Sequence, residues 1–333
     1  MKILYIMGDC GSGVEQIGYV YALLLKKLGH TVTLAITQYM QDFEDLNRIL
    51  TNYDCVVFNE PNENCIKIMK DSLKTIKNFQ IVHSKIAKET PLNTVCLSLN
   101  YYLLNKINEK NNVIFPITYP FAFKKDASFN SRILYNTIFV GRYNRDKFSP
   151  ILRDLMKKGN FKIDFGIISK KQDDEDSDIN NVITEMRNNL TIDLIYEQLK
   201  YSKYLILPST TECLSLVVGE AMVNGCIPVV LESKFVEHEQ FGKYSNLFFN
   251  THDMYDFILD TIDCDVSQHR KEMFNWANEK YSINKCLYEL KQFFGTGKDG
   301  NILNLYNKEY SHKIPYKNAA IITDDFEEFE KCI

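Results

Sequence analysis

The apolar positions of the chain fall into short continuous runs separated by longer mixed segments. Lys2–Met7, Thr31–Ile36, Asp54–Phe58, Asn78–His83, Thr94–Leu97 and Asn112–Phe115 form one series of such runs. Thr137–Val140, Phe161–Phe165, Lys203–Leu207, Ile227–Leu231 and Asn246–Phe249 form a second. Runs this short and this apolar suit strands buried on both faces of a parallel sheet. Helical stretches are predicted over Glu15–Leu28, Asp193–Tyr201, Leu216–Val223, Ser267–Lys280 and Ile283–Phe294, with Gly29 and Asn224-Gly225 as stops. Gly166 is read as a turn closing the Phe161–Phe165 strand. Strands alternating with helices give an α/β class with Rossmann-like units. Pro116, Pro120 and Lys124-Lys125 mark the passage between two of them. The domains expected are 1–120, a linker over 121–135, a second domain over 136–275, and a crossover helix and tail over 276–333.

The most informative stretch is Pro208–Leu231, P-S-T-T-E-C-L-S-L-V-V-G-E-A-M-V-N-G-C-I-P-V-V-L. Glu212 falls in the loop at a strand's carboxyl end, and Glu220 falls about one turn into the next helix. A helix starting near Leu214–Leu216 leaves its first N–H groups unpaired, with Ser215 available as a cap. Those groups and the helix dipole favour an anion, by about 0.3 to 2 kcal/mol for the dipole. Carboxylates repel a phosphate, so Glu212 and Glu220 are suited to accept from hydroxyls on either side of it. Sugar hydroxyls flanking a diphosphate meet that requirement.

Composition narrows the picture. The 333 residues allow two ordinary domains, and a net charge of -4 is not that of a generally basic nucleic-acid binder. The nine cysteines include no C-x-x-C, so neither a zinc site nor a disulfide framework is signalled. They read as reduced core thiols of a cytoplasmic protein. No signal peptide opens the chain, and no apolar run reaches membrane-spanning length. Asp174-Glu175-Asp176 spells D-x-D inside K-K-Q-D-D-E-D-S-D, where no strand leads straight into it; it reads as a solvated loop, and no metal site is expected. The first strand ends in Gly8-Asp-Cys-Gly-Ser-Gly13, which is G-x-x-G-x-G, and no acidic residue immediately follows Ile36, where a dinucleotide binder places one for the ribose.

The T-E-C-L-S-L approach, the G-E-A-M core and the N-G-C-I-P-V-V exit resemble the Glu-x7-Glu signature of retaining glycosyltransferases of the family 4 type. The resemblance implies the GT-B fold, with two Rossmann-like domains facing across a cleft and a final helix crossing back near N-E-K-Y-S-I-N-K. It implies that Glu212 holds the donor sugar and Glu220 the ribose. It also places Cys213, Leu214, Ser215 and Leu216 at the donor, and the Gly13 loop against the donor diphosphate. His83, at a strand end, matches a histidine that the family sets against the donor sugar. The G-R-x4-K element assigns Arg142 and Lys147 to the diphosphate, where a metal-independent transferase needs fixed cations. No cofactor is implied beyond a nucleotide-sugar donor, most simply a UDP-sugar.

The acceptor is open between two classes. One is a surface glycan or lipid-linked sugar. The other is double-stranded DNA, because the M-K-I-L-Y-I-M start and F-V-G-R-x4-K element resemble phage α-glucosyltransferases that modify hydroxymethylated cytosine. Arg132, Arg142, Arg145, Lys147, Arg153, Lys157, Lys158 and Lys162 make a locally basic segment suited to a DNA backbone. For a phage enzyme the compartment is the host cytoplasm. A sugar-nucleotide epimerase and a non-catalytic nucleotide-sugar binder are the alternatives from other classes.

Overall fold

The structure is a computed structural model. It describes residues 1–7, 13–36, 48–59, 67, 69, 71–83, 94–99, 113–122, 128–171, 179–188, 190, 192–210, 215–232, 241–244, 246–298 and 300–304. The chain divides into two compact units, Met1–Phe123 with Ile283–Ile333, and Lys124–Ser282.

The first unit is built on a parallel sheet. Its strands are β1 (Lys2–Met7), β2 (Thr31–Ile36), β3 (Cys55–Asn59), β4 (Lys77–Val82), β5 (Thr94–Ser98) and β6 (Val113–Pro116), joined by a late strand, Asn301–Asn304. The order is Asn301–Asn304, then β2, β1, β3, β4, β5 and β6. Ile3, Leu4, Tyr5 and Met7 of β1 are wholly buried, as its unbroken apolar run requires. Helix α1 (Gly13–Lys27) follows β1 and ends at Gly29, whose φ of +85° favours glycine. A β-carbon there would also lie 2.5 Å from the Gly297 carbonyl oxygen. That close approach, with Gly297 N–H donating to Leu28 O at 2.7 Å, seats the late strand beside β2.

The second unit has the sheet order β12 (Asn246–Phe248), β11 (Ile227–Leu231), β10 (Ser202–Leu207), β7 (Tyr135–Tyr143), β8 (Ile163–Lys171) and β9 (Ile183–Asn188), again parallel. Its helices are α2 (Pro150–Lys158), α3 (Ile192–Lys200), α4 (Leu216–Val223), α5 (Thr251–Thr261) and α6 (Ser267–Lys280). The late strand beside β2 is numbered β13. Helix α7 (Ile283–Phe294) returns to the first unit. There Phe294 stacks on Phe79 of β4 at 4.3 Å, and Lys77 Nζ donates to Phe293 O at 3.1 Å.

Two local expectations are corrected. Gly166 is not a turn; it lies mid-strand in β8. A β-carbon there would lie 2.9 Å from Ile183 of β9, so a small residue lets the two strands pack. Consequently β8 runs on to Lys171, three residues short of Asp174, so a strand does lead toward D-x-D. The motif itself lies outside the described residues.

Candidate functional site

In the second unit the strands β7 and β10 are neighbours, so their carboxyl ends share one edge of the sheet. The register of β7 shifts against β8 between Gly141 and Tyr143, and Arg142 is exposed there. Among the described residues no hydrogen bond or ion pair engages its guanidinium. The chain then turns tightly. Lys147 N–H donates to Asn144 Oδ1 at 2.9 Å, and Phe148 N–H donates to Asn144 O at 2.8 Å. Asn144 therefore shapes the turn that carries Lys147, a role no motif announces. The turn is stitched to the loop after β10. Asp146 O accepts from Thr210 N–H at 2.8 Å and from Ser209 Oγ at 3.1 Å, and Ser149 N–H donates to Pro208 O at 3.0 Å. The Arg142–Lys147 segment and the approach to Glu212 are thus one structure. Glu212, Cys213 and Leu214 lie outside the described residues.

Helix α4 opens directly after them. Ser215 stands at its N-cap in an extended conformation, but its side chain makes no capping hydrogen bond. The cap is the backbone, with Val218 N–H donating to Ser215 O at 3.2 Å. Ser215 is buried, and no side-chain cap engages the first-turn N–H groups of Leu216 and Val217.

Glu220 is 7 % exposed, and among the described residues no hydrogen bond or ion pair reaches its carboxylate. Burial penalises the charged form and pushes its pKa up from 4.5 to about 7. A carboxylate largely withdrawn from water, with no donor among the described residues, is suited to accept from hydroxyls.

The far end of α4 is held firmly. Gly225 takes φ +77° after the last turn, and Asn224 Nδ2 donates to Glu220 O at 2.8 Å. From α6, the fully buried Arg270 donates through Nε to Gly225 O at 2.7 Å, and Asn278 Nδ2 donates to Val223 O at 3.0 Å. Arg270 also donates to Lys200 O at 3.2 Å, so its charge meets the negative ends of both α3 and α4. Sequence reading missed both residues, since they lie some 50 positions beyond the helix they cap.

The first unit carries the other two expected residues. Gly13 is the first residue of α1, two positions before the expected start. His83 follows β4 and is 3 % exposed. Its Nε2 lies 2.9 Å from Asn59 Oδ1, and burial lowers its pKa from 6.5 to about 3.

The basic segment does not form one surface. Arg142, Arg145 and Lys147 follow the carboxyl half of β7. Lys157 and Lys158 end α2, while Lys162 precedes β8 and Arg132 precedes β7, at the opposite edge. Arg153 is buried, with its guanidinium 5.2 Å from the Tyr143 ring centre, so it is not a surface charge.

Among the described residues no group of three or more His, Cys, Asp or Glu could hold a metal ion. Nor is any described helix long and apolar enough to cross a membrane.

No family model and no curated protein matches this chain. Solved structures do. Anabaena HepE in complex with UDP and glucose matches at a TM-score of 0.66 and 11% identity, over 88% of this chain and 98% of that one. A glycosyltransferase from Rickettsia africae ESF-5 matches at 0.68 and 12%, over 88% and 97%. An α-glucosyltransferase in complex with UDP-glucose and DNA containing an abasic site matches at 0.57 and 14%, over 88% and 99%. The fold is therefore GT-B, with two parallel α/β units and the last helix returned to the first.

Proposed function

We propose that the protein transfers a sugar from a UDP-sugar to an acceptor hydroxyl, without a metal and with retention at the anomeric carbon. The observation that carries this reading is Glu220, a buried carboxylate in the helix that follows, along the chain, the Pro208–Thr210 segment bonded to the Arg142–Lys147 turn. Ribose hydroxyls supply donors to it, where none is found among the described residues. The nucleotide is taken as UDP because UDP or UDP-glucose is bound in HepE and in the α-glucosyltransferase.

In the reaction the bond from the anomeric carbon to the diphosphate breaks. The acceptor oxygen bonds to that carbon on the same face, and its proton passes to the leaving diphosphate. Arg142, Lys147 and the backbone of Cys213, Leu214, Ser215 and Leu216 take up the charge that develops on the diphosphate. One unit pair at 4 Å contributes about 4 kcal/mol at an effective dielectric of 20. Glu212 orients the sugar through its hydroxyls and Glu220 fixes the ribose, and the resemblance assigns Gly13 and His83 to the donor as well.

The acceptor is hydroxymethylcytosine in double-stranded DNA, in the cytoplasm of a phage host. Support comes from the DNA-bound α-glucosyltransferase, 99% of whose chain is matched. A glycan or lipid-linked sugar is the second reading. It is favoured by the division of the basic residues between two edges of the second sheet.

The test mixes protein, a panel of UDP-sugars and hydroxymethylcytosine duplex in chelator, then weighs the digested nucleosides. A hexose or pentose added to the base is expected. Donor turnover with unmodified DNA moves the acceptor to a glycan, and no turnover of any donor overturns the transferase reading.

A further inference from the structure

A cation lies buried near the start of helix α2. Arg153 is 9 % exposed. Its Nε is sealed from solvent with no hydrogen-bond partner, whereas Nη1 and Nη2 are not sealed. Among the described residues no hydrogen bond or ion pair engages the guanidinium. An arginine cannot shed its charge, so a guanidinium withdrawn from water without an anion is costly. The Tyr143 ring centre lies 5.2 Å from Cζ. A ring takes the flat face of the cation and leaves the N–H fork at its rim unused.

The place of Arg153 in the fold shows what that fork faces. It is the fourth residue of α2, where long side chains lean back toward the amino end of the helix. Tyr143, the last residue of β7, lies at that end. Its ring is 5.2 Å from that of Phe148, which precedes the N-cap Ser149. Pro150 has no N–H, and no side-chain cap engages the first-turn N–H groups of Ile151 and Leu152. The helix dipole adds positive potential there. Arg142 directly precedes Tyr143, and Lys147 lies in the turn between β7 and α2.

We infer that Arg153 is a phosphate-binding residue, its guanidinium and the amino end of α2 together taking one phosphoryl group. Phosphate fits because its oxygens accept from a guanidinium fork and from helix N–H groups at once. The group belongs either to the diphosphate of the sugar nucleotide or to a phosphate outside the donor. The first source rests on the transferase reading above.

The test titrates UDP, uridine and inorganic phosphate into the full-length protein and into Arg153→Met, which removes the charge and keeps much of the volume. The substitution should weaken the phosphate ligand at least about tenfold, in keeping with hydrogen bonds to a charged group. The ligand-free Tm should be no lower, because an unpaired buried charge is removed. UDP weakened with uridine unchanged assigns the site to the donor diphosphate. Inorganic phosphate weakened with UDP within about twofold assigns it to a phosphate outside the donor. If neither is weakened the proposal is overturned, and a lowered Tm in that case makes Arg153 a packing residue of Tyr143. A wild-type measurement decides if Arg153→Met fails to fold. The Arg153 Nε–H resonance of 15N-arginine protein, identified by its loss in Arg153→Lys, should move with UDP or inorganic phosphate and not with uridine. A resonance that neither anion moves overturns the proposal. If Arg153 binds phosphate but wild type turns over no UDP-sugar, the transferase reading falls and the site stands. An active wild type with an indifferent Arg153→Met removes only the site.

Discussion

The first sheet ends its strands in neutral polar groups, with Asn59 and a His83 whose burial keeps it uncharged. The second carries charge, with exposed Arg142 and the Lys147 turn at the end of β7 and buried Glu220 within helix α4. Both sheets are parallel, and both put their polar groups where α/β folds put ligands. The difference is one of chemistry. Neutral groups choose among hydroxyls by direction, and fixed charges stabilise a leaving diphosphate. If this division is right, each kind of group should fail in its own way when altered.

The largest effect is expected on the charged side. Arg142→Ala should cut turnover by about 10²- to 10³-fold, the usual cost of removing one fixed donor to developing charge. Steady-state kinetics with UDP-glucose measures it, and Arg142→Lys should recover part of the loss.

Next comes stability against pH, where the two units respond in opposite directions. The pKa of Glu220 is raised in the fold, so its contribution is complete below 4.5 and is lost as pH rises through about 7. That is roughly 3 kcal/mol across the window. The pKa of His83 is lowered, so its contribution is present above 6.5 and is lost as pH falls through about 3. Urea unfolding from pH 4 to 8 should show Glu220→Gln removing the loss at high pH and His83→Gln removing the loss at low pH.

A smaller effect concerns binding. Ribose hydroxyls favour the ionised carboxylate, so UDP affinity should rise about tenfold from pH 6 to 8 as Glu220 ionises. Calorimetry should show that slope vanish in Glu220→Gln.

The smallest effect belongs to Lys158 and Lys162, at the far edge from Arg142. Their replacement by Ala should leave UDP binding within about twofold, as expected for solvated charges beyond a Debye length. A rise in DNA KM in the same variants would show that the acceptor reaches that edge.

Helix α4 and its flanking strand Ile227–Leu231 were legible to the residue, because apolar runs and the Asn224-Gly225 stop are local signals. Helices α6 and α7 were legible for the same reason. Strand β9 was not, because I-T-E-M-R-N is an edge strand with most side chains in water. Nor was β13, whose seat depends on Gly297 meeting Gly29 across more than 260 residues. At the site, the place of Glu220 within α4 could be read from the apolar run before the Asn224-Gly225 stop, while the roles proposed for Glu220, Arg142 and Lys147 come from the resemblance. Asn59, Asn144 and Arg270 could not be read, since each acts on a partner that only the folded chain brings near. Ser215 was read as a side-chain cap, yet the backbone performs that task.

The account rests most heavily on Glu220 as the nucleotide's partner. The direct measurement is a titration of UDP, in chelator at pH 8, into wild type and into Glu220→Gln. The account predicts binding without metal, weakened at least about tenfold by the substitution, in keeping with hydrogen bonds to a charged group. Equal binding by the two proteins, or binding by wild type only when metal is restored, would contradict it.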